Sequence, residues 1–306
     1  MKKDEKSLHK FDTLSDAHRA LDLPQPKHPL ISMIKGAPCV SPLNVPAGHH
    51  VLGFYKISYK PKLGGKLKYG QGYYDFDEGG LMFASPGQVI GSAENEGNVY
   101  SEYTLLIHPD FLLGYAIAKK INQYGFFSYT ANEALHLSEN EKATIVSIFR
   151  IMEEELNSRI DDFSHDVIIS QIELLLNYAN RFYKRQFITR KTVSHDLLQR
   201  LEDLLTGYFS NEDSLSKGIP TVQYLADNLH LSPSYLSDML RALTGQNAQQ
   251  HIHDKLIEKA KEKLSTTTLS VSEIAYALGF EHPQSFSKLF KTKTNLSPLE
   301  FRRSFN

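Results

Sequence analysis

The sequence predicts an α+β protein in two parts: an N-terminal antiparallel β-barrel with a helical pair, then an all-α domain. Three observations lead there. Short β-rich stretches alternate with glycine and proline turns up to about residue 130, two amphipathic helical patterns follow from Leu137, and a two-helix unit occurs twice towards the C-terminus. A chain of 306 residues, 41% of them hydrophobic, buries a substantial core, and its length favours two domains.

Residues 1 to 28 are charged and run into "LPQPKHP" at 23 to 29, which suits an extended arm better than a core element. The opening "MKKDEKSLHKFD" lacks the apolar centre of a secretion signal, and the single cysteine, Cys39, has no intrachain disulfide partner. No uncharged apolar run approaches the roughly 20 residues of a spanning helix. The expected home is the cytoplasm, away from any membrane. A net charge of −1 does not decide about nucleic acid, because a local cationic cluster near the C-terminus (Lys288, Lys291, Lys293, Arg302 and Arg303 against Glu300) is hidden in the total.

The β region, within a domain assigned to residues 29–190, contains "HHVLGFYKISYK", "LMFASP" and "YSEYTLLI", broken by "KLGG", "DEGG" and "SPGQ". Ser138 and Glu141 then have capping-box spacing, and Ile145, Ile148, Phe149, Met152 and Leu156 share a helical face. A second helix carries Val167, Ile168, Ile172, Leu175 and Ala179. Leu174 and Tyr178 widen its stripe beyond one contact, which points to a homodimer through these helices. The basic, weakly periodic "NRFYKRQFITRKTVSHD", residues 180 to 196, is read as holding the domain boundary, with helices resuming at Asp196.

"LADNLHL" at 225 to 231 matches "IAYALGF" at 274 to 280 at an offset of 49, and after a one-residue slip the match resumes from Pro233/Pro283 to Gly245/Asn295. Each copy reads as a short helix, a tight turn and a second helix, with Ala226 and Ala275 where the two cross closely. Pro233 and Pro283 stand at first helical positions, Gly245 and Asn295 suit left-handed stops, and Ser270 with Glu273 makes a capping box. The intervening 248 to 265 reads as one helix with Ile252, Leu256, Ala260 and Leu264 inward, about 27 Å long. That length sets the two units about one DNA turn, roughly 34 Å, apart.

On these residues, 194–306 resemble the DNA-binding region of the AraC/XylS family of transcription regulators. The most specific part is "IAYALGFEHPQSFSKLFKTKTNLSPLEFRR", which departs from the family pattern at Asn295, where glycine is usual. The resemblance implies a double helix-turn-helix domain that meets double-stranded DNA in two adjacent major grooves. Its recognition helices would run from Pro233 to Leu243 and from Pro283 to Thr292. Leu236, Met239, Leu240, Phe286, Leu289 and Phe290 would face inward. Ser234, Tyr235, Ser237, Asp238 and Arg241 would face outward on the first, and Gln284, Ser285, Ser287, Lys288 and Lys291 on the second, with His282 at its tip. Arg241 suits guanine, Gln284 adenine, and Asp238 either cytosine or the orientation of Arg241, while Arg302 and Arg303 suit phosphate or merely solvent. The order of elements in the β region is similar to the cupin-like sensor of many family members, which implies a small-molecule effector, a homodimer and, for an activator, RNA polymerase as partners. Tyr55, Tyr59 and Tyr73 are the candidate effector-binding residues.

Two other classes compete. A cupin-type metal-dependent enzyme would need clustered ligands, but His49 and His50 are adjacent, so on a strand they point to opposite faces, and His108 stands at a strand end. No nucleophile arrangement or phosphate loop is present, so no catalytic residue, metal ligand or cofactor is assigned. A DNA-bending protein without effector control is the other alternative.

Overall fold

The computed structural model describes residues 8–38, 49–61, 66–69, 72–75, 79–91, 100–129, 133–158, 163–189, 191–210 and 217–304. The chain divides into two compact units, Met1–Gln186 and Phe187–Asn306.

In the first unit, β2 (Ile31–Pro38), β4 (Tyr55–Lys60), β7 (Gly80–Ala84), β9 (Tyr100–Ile107) and β10 (Leu135–His136) form an antiparallel sheet in the order β10-β7-β4-β9-β2. The register sets Tyr55, Ile57 and Tyr59 opposite Ile107, Leu105 and Tyr103, so one apolar face runs across three strands. Helices cover that face. Tyr103 stacks on Phe149 of α3 (Glu139–Asn157) with centroids 5.4 Å apart, and Phe83 meets Tyr183 of α4 (Ser164–Thr189) and Phe126 of a 3-10 turn. The capping box at Ser138 and Glu141 starts α3 as expected. Arg185 fastens the end of α4 by pairing with Glu141 at 2.6 Å and donating to the His136 carbonyl.

On the opposite face Ser58 and Thr104 hydrogen-bond, and Ile34 and Leu106 pack with Leu14 and Ala17 of α1 (Leu14–Ala20) and with Leu52 and Phe54. Beside them, β3 (His49–Leu52) pairs parallel with β1 (Leu8–Phe11) and antiparallel with β8 (Val89–Gly91), and β5 (Lys66–Tyr69) pairs with β6 (Gly72–Asp75). A short α2 (Ile117–Lys120) lies between β9 and β10 in the chain.

Three expectations need correction. The main sheet is open among the described residues, with β10 and β2 at its edges, so a closed barrel is not found. Short strands broken by turns report a sheet, whereas closure depends on tilt and register. Nor are residues 8–20 an extended arm: they form β1 and α1, the latter capped by Thr13 accepting from the Asp16 amide, with Leu14 and Ala17 buried. Finally, the basic segment around 180–196 is nearly all helical. α4 continues to Thr189 and α5 (Lys191–Ser210) starts two residues later, because Ala179, Phe182, Tyr183 and Gln186 keep a buried stripe behind the exposed Arg181 and Lys184.

The second unit is helical: α5, α6 (Val222–Leu229), α7 (Pro233–Thr244), α8 (Ala248–Thr266), α9 (Val271–Ala277), α10 (Pro283–Thr294) and α11 (Pro298–Arg303). Its core takes Leu225, Ala226, Leu236 and Leu240 from the first copy and Ile274, Ala275, Phe286 and Phe290 from the second, around Ile252, Leu256, Ala260 and Leu264 of α8. Lys255 of α8, 7% exposed, reaches Glu202 of α5 at 2.5 Å and Glu258 at 3.1 Å.

Candidate nucleic-acid interface

The two copies turn in the same way. In the first, α6 stops at His230 with φ 58°, and the Leu231 amide donates back to Ala226 at 2.9 Å. In the second, Gly279 takes φ 88°, and the Phe280 amide donates to Ala275 at 3.0 Å. Ala226 and Ala275 are fully buried, as the close crossing requires. The one-residue slip lies between turn and second helix: Ser232 alone separates Leu231 from Pro233, whereas Glu281 and His282 separate Phe280 from Pro283. Ser232 caps α7 by accepting from the Tyr235 amide at 3.2 Å, and His282 makes no side-chain cap.

The second helices also end alike. Thr244 donates to Leu240 and Thr294 to Phe290, each at 2.8 Å, and each hydroxyl accepts an amide from two residues on. Gly245 at φ 80° and Asn295 at φ 60° then stop the helices. Asparagine tolerates the left-handed region, so the departure from glycine leaves the stop intact. The paired threonines were not singled out in the sequence, although Thr244 and Thr294 stand at the same offset of 50 as the rest of the repeat.

These helices run to Thr244 and Thr294, slightly beyond the expected ends. Leu236, Met239, Leu240, Phe286 and Phe290 are buried, and Leu289 is half-buried. Arg241, His282, Gln284, Ser285, Lys288 and Lys291 are exposed, while Ser234, Ser237, Asp238 and Ser287 are half-buried. Asp238 accepts from Arg241 Nη1 at 2.7 Å.

Two residues are not where the sequence placed them. Tyr235, expected to face outward, is 1% exposed. With Leu236, Met239 and Leu240 it makes a two-column stripe, and repeat symmetry concealed this because its counterpart Ser285 is exposed. Arg302 is half-buried and donates to the Leu264 carbonyl at 3.2 Å and the Leu269 carbonyl at 2.6 Å, so its guanidinium clasps the join between α8 and α9.

Below the first recognition helix, His251 lies 2.9 Å from Thr244 Oγ1, and Gln249 donates to His253 at 3.0 Å. Burial holds both imidazoles below the ordinary histidine range. Lys293 adds to that for His253, and Asp254 opposes it for both.

The effector candidates fare differently. Tyr55 and Tyr59 are buried on the helix-covered face, Tyr55 donating to Asn122 and meeting Phe127, while the Tyr73 side chain lies outside the described residues. Cys39 lies outside them too, as do the side chains of His49 and His50. A cavity of about 280 Å³ lies instead along β2, lined by His18, Lys27, Lys35, Glu153, Leu156 and Asn157 among others. Among the described residues no group of three or more histidines, cysteines or carboxylates is placed to hold a metal ion, and no helix is long and apolar enough to cross a membrane.

A family profile described as a helix-turn-helix domain matches residues 225–304. The HTH-type transcriptional regulator YfiF of Bacillus subtilis is 31% identical over 143 residues, which cover 47% of this chain and 42% of that protein. The transcriptional regulatory protein YesN of Bacillus subtilis is 38% identical over 79 residues, 25% of this chain and 22% of that one. The arabinose operon regulatory protein of Escherichia coli is 34% identical over 90 residues, 29% of this chain and 31% of that one. A solved C-terminal domain of the response regulator yesN from Fusobacterium nucleatum is 33% identical, covering 33% of this chain and 96% of that chain with a TM-score of 0.29. The chain spans less than half the length of these curated relatives. Residues 225–304 are a helix-turn-helix domain of the AraC type, shared with proteins that regulate transcription.

Proposed function

We propose that the protein is a sequence-specific, DNA-binding transcription regulator that presents α7 and α10 to two adjacent major grooves. The observation that carries this reading is the repeat. Both copies bury the pairs Leu225/Ile274, Ala226/Ala275, Leu236/Phe286 and Leu240/Phe290, end their second helices with the same threonine motif, and leave polar or cationic side chains outward. A bundle with no partner needs the buried half of that pattern and not the exposed half. Arg241, held by Asp238, is suited to a guanine edge and Gln284 to an adenine edge, while Ser234, Ser237, Ser285, Ser287, Lys288, Lys291 and His282 are suited to bases or phosphates. Selection of duplexes from a random pool by the full chain, followed by titration across salt, tests the reading. One enriched motif with two half-sites supports it, and uniform binding to every sequence favours the DNA-bending alternative.

Control by a small molecule, self-association and contact with RNA polymerase belong to the same proposal. The cavity along β2 supports an effector site better than the sheet tyrosines do, because helices cover the Tyr55 and Tyr59 face. A ligand acts only through a difference in its affinity for two states, so DNA titrations with and without retained cell metabolites are the test.

A further inference from the structure

One carboxylate on the linking helix touches an element from each copy. Asp254, in the second turn of α8, accepts from Gln246 Nε2 at 2.8 Å through Oδ2 and from Lys293 Nζ at 2.7 Å through Oδ1. Gln246 directly follows the left-handed Gly245 that ends α7, and Lys293 belongs to the last turn of α10. The ends of both recognition helices are thus held to the same side chain.

The apolar face of α8 cannot supply this by itself. Ile252, Leu256, Ala260 and Leu264 bury area, but apolar contact has little directional preference and permits small rolls of one copy against the other. A carboxylate held by an ammonium on one side and an amide on the other is directional. Neither partner has a counterpart in the repeat: the positions matching Gln246 and Lys293 are Leu296 and Leu243, so the contact belongs to the pair of copies and not to either alone.

We infer that Asp254 is a positioning residue that fixes α7 against α10 and thereby sets which spacing between two DNA half-sites the protein accepts. This rests on the DNA-binding reading above. Two rigidly joined readers accept one separation and phase along the duplex, whereas a loosened join accepts neighbouring ones. Asp254 and Lys293 side chains are 43% and 29% exposed. A pair this open adds little to overall stability, which keeps its effect on spacing separable from folding.

The test has two arms on the full chain. In the first, spin labels are placed at Asn228→Cys and Tyr276→Cys in a Cys39→Ser background, both label sites being exposed positions in the first helices of the two copies. The distance distribution between them, measured without DNA, should broaden in Asp254→Asn and equally in Lys293→Gln, with no further change in the double variant. In the second arm, the enriched duplex is lengthened or shortened by one base pair between half-sites. The parent should discriminate against both, and each variant should lose about three- to fivefold of that discrimination while circular dichroism is unchanged. Unchanged distance widths overturn the lock, and broadened widths with an intact spacing preference overturn its role in specificity. If the parent enriches no duplex, the regulatory reading fails and the spacing role fails with it, while the distance arm still decides whether the lock exists.

Discussion

Asp238 accepts a hydrogen bond from Arg241 one turn later on α7, at 2.7 Å, and so aims the guanidinium before any ligand arrives. Arg241→Ala should therefore cost about 1 to 3 kcal/mol at one base pair of the selected site and little elsewhere, and Gln284→Ala should do the same at another. Asp238→Asn should weaken the preference at the Arg241 position and leave the Gln284 position unchanged. Binding measured over a panel of single-base variants checks all three.

Tyr235→Ala should behave in the opposite way. Removing a fully buried ring costs about 3 to 5 kcal/mol of stability and lowers affinity for every duplex alike, with the base preferences of the remaining folded protein intact. Hydrogen exchange of amides in the second unit, read beside the DNA panel, separates the two effects.

Gly279→Ala should be the harsher of two glycine replacements. A Cβ there would stand 2.5 Å from the Gly218 carbonyl carbon, on top of a φ of 88°, whereas Gly245 has φ 80° and open space around it. Gly245→Ala should cost about 1 to 2 kcal/mol, the left-handed penalty alone, and Gly279→Ala distinctly more. Thermal melts of the two variants give the order.

Stability of the second unit should fall as the medium turns acidic. His251 and His253 have folded pKa values below the ordinary 6.5, so the unfolded chain binds protons more readily. Their neutral-state stability is fully present above pH 6.5 and is lost progressively as pH drops below it. The groups facing them are Asp254, Glu202 and Lys293, and of these the acids soften the effect. Replacing both histidines with glutamine should flatten the slope between pH 6.5 and 5, as followed by denaturant unfolding.

Val167 and Leu174 lie two turns apart on one face of α4 and are 37% and 40% exposed. Leu174→Arg should convert a self-associating chain to a monomer in light scattering at tens of micromolar, without loss of helical content by circular dichroism. A parent chain that is itself monomeric at that concentration overturns dimerisation through this helix.

The repeat made the second unit legible because two offset copies expose which positions are constrained. The left-handed stops at Gly245 and Asn295, the proline starts and the buried alanines all followed from it. Symmetry also misled, since Tyr235 and Ser285 share a register but not an environment. Arg302 looked like a phosphate contact because charge is visible in a sequence and the carbonyls of Leu264 and Leu269 are not. In the first unit the short β-rich stretches were readable, whereas the open sheet edges were not, because pairing between distant strands leaves no local mark. α1 is hard to read from the sequence although Thr13 and Asp16 carry a capping signal, because the charged residues around it dominate the local composition.

At the left-handed turn the two copies are not interchangeable, and the barrier there runs in one direction. The left-handed position of the first is occupied by His230, and glycine there would lose a side chain and keep the turn. The same position in the second is Gly279, against which the Gly218 backbone is packed, so an imidazole transplanted there would displace the chain behind it. The turn is therefore a one-way position, where glycine fits either copy and a side chain fits only the first, and of the two motifs it is the second whose turn is closed to variation.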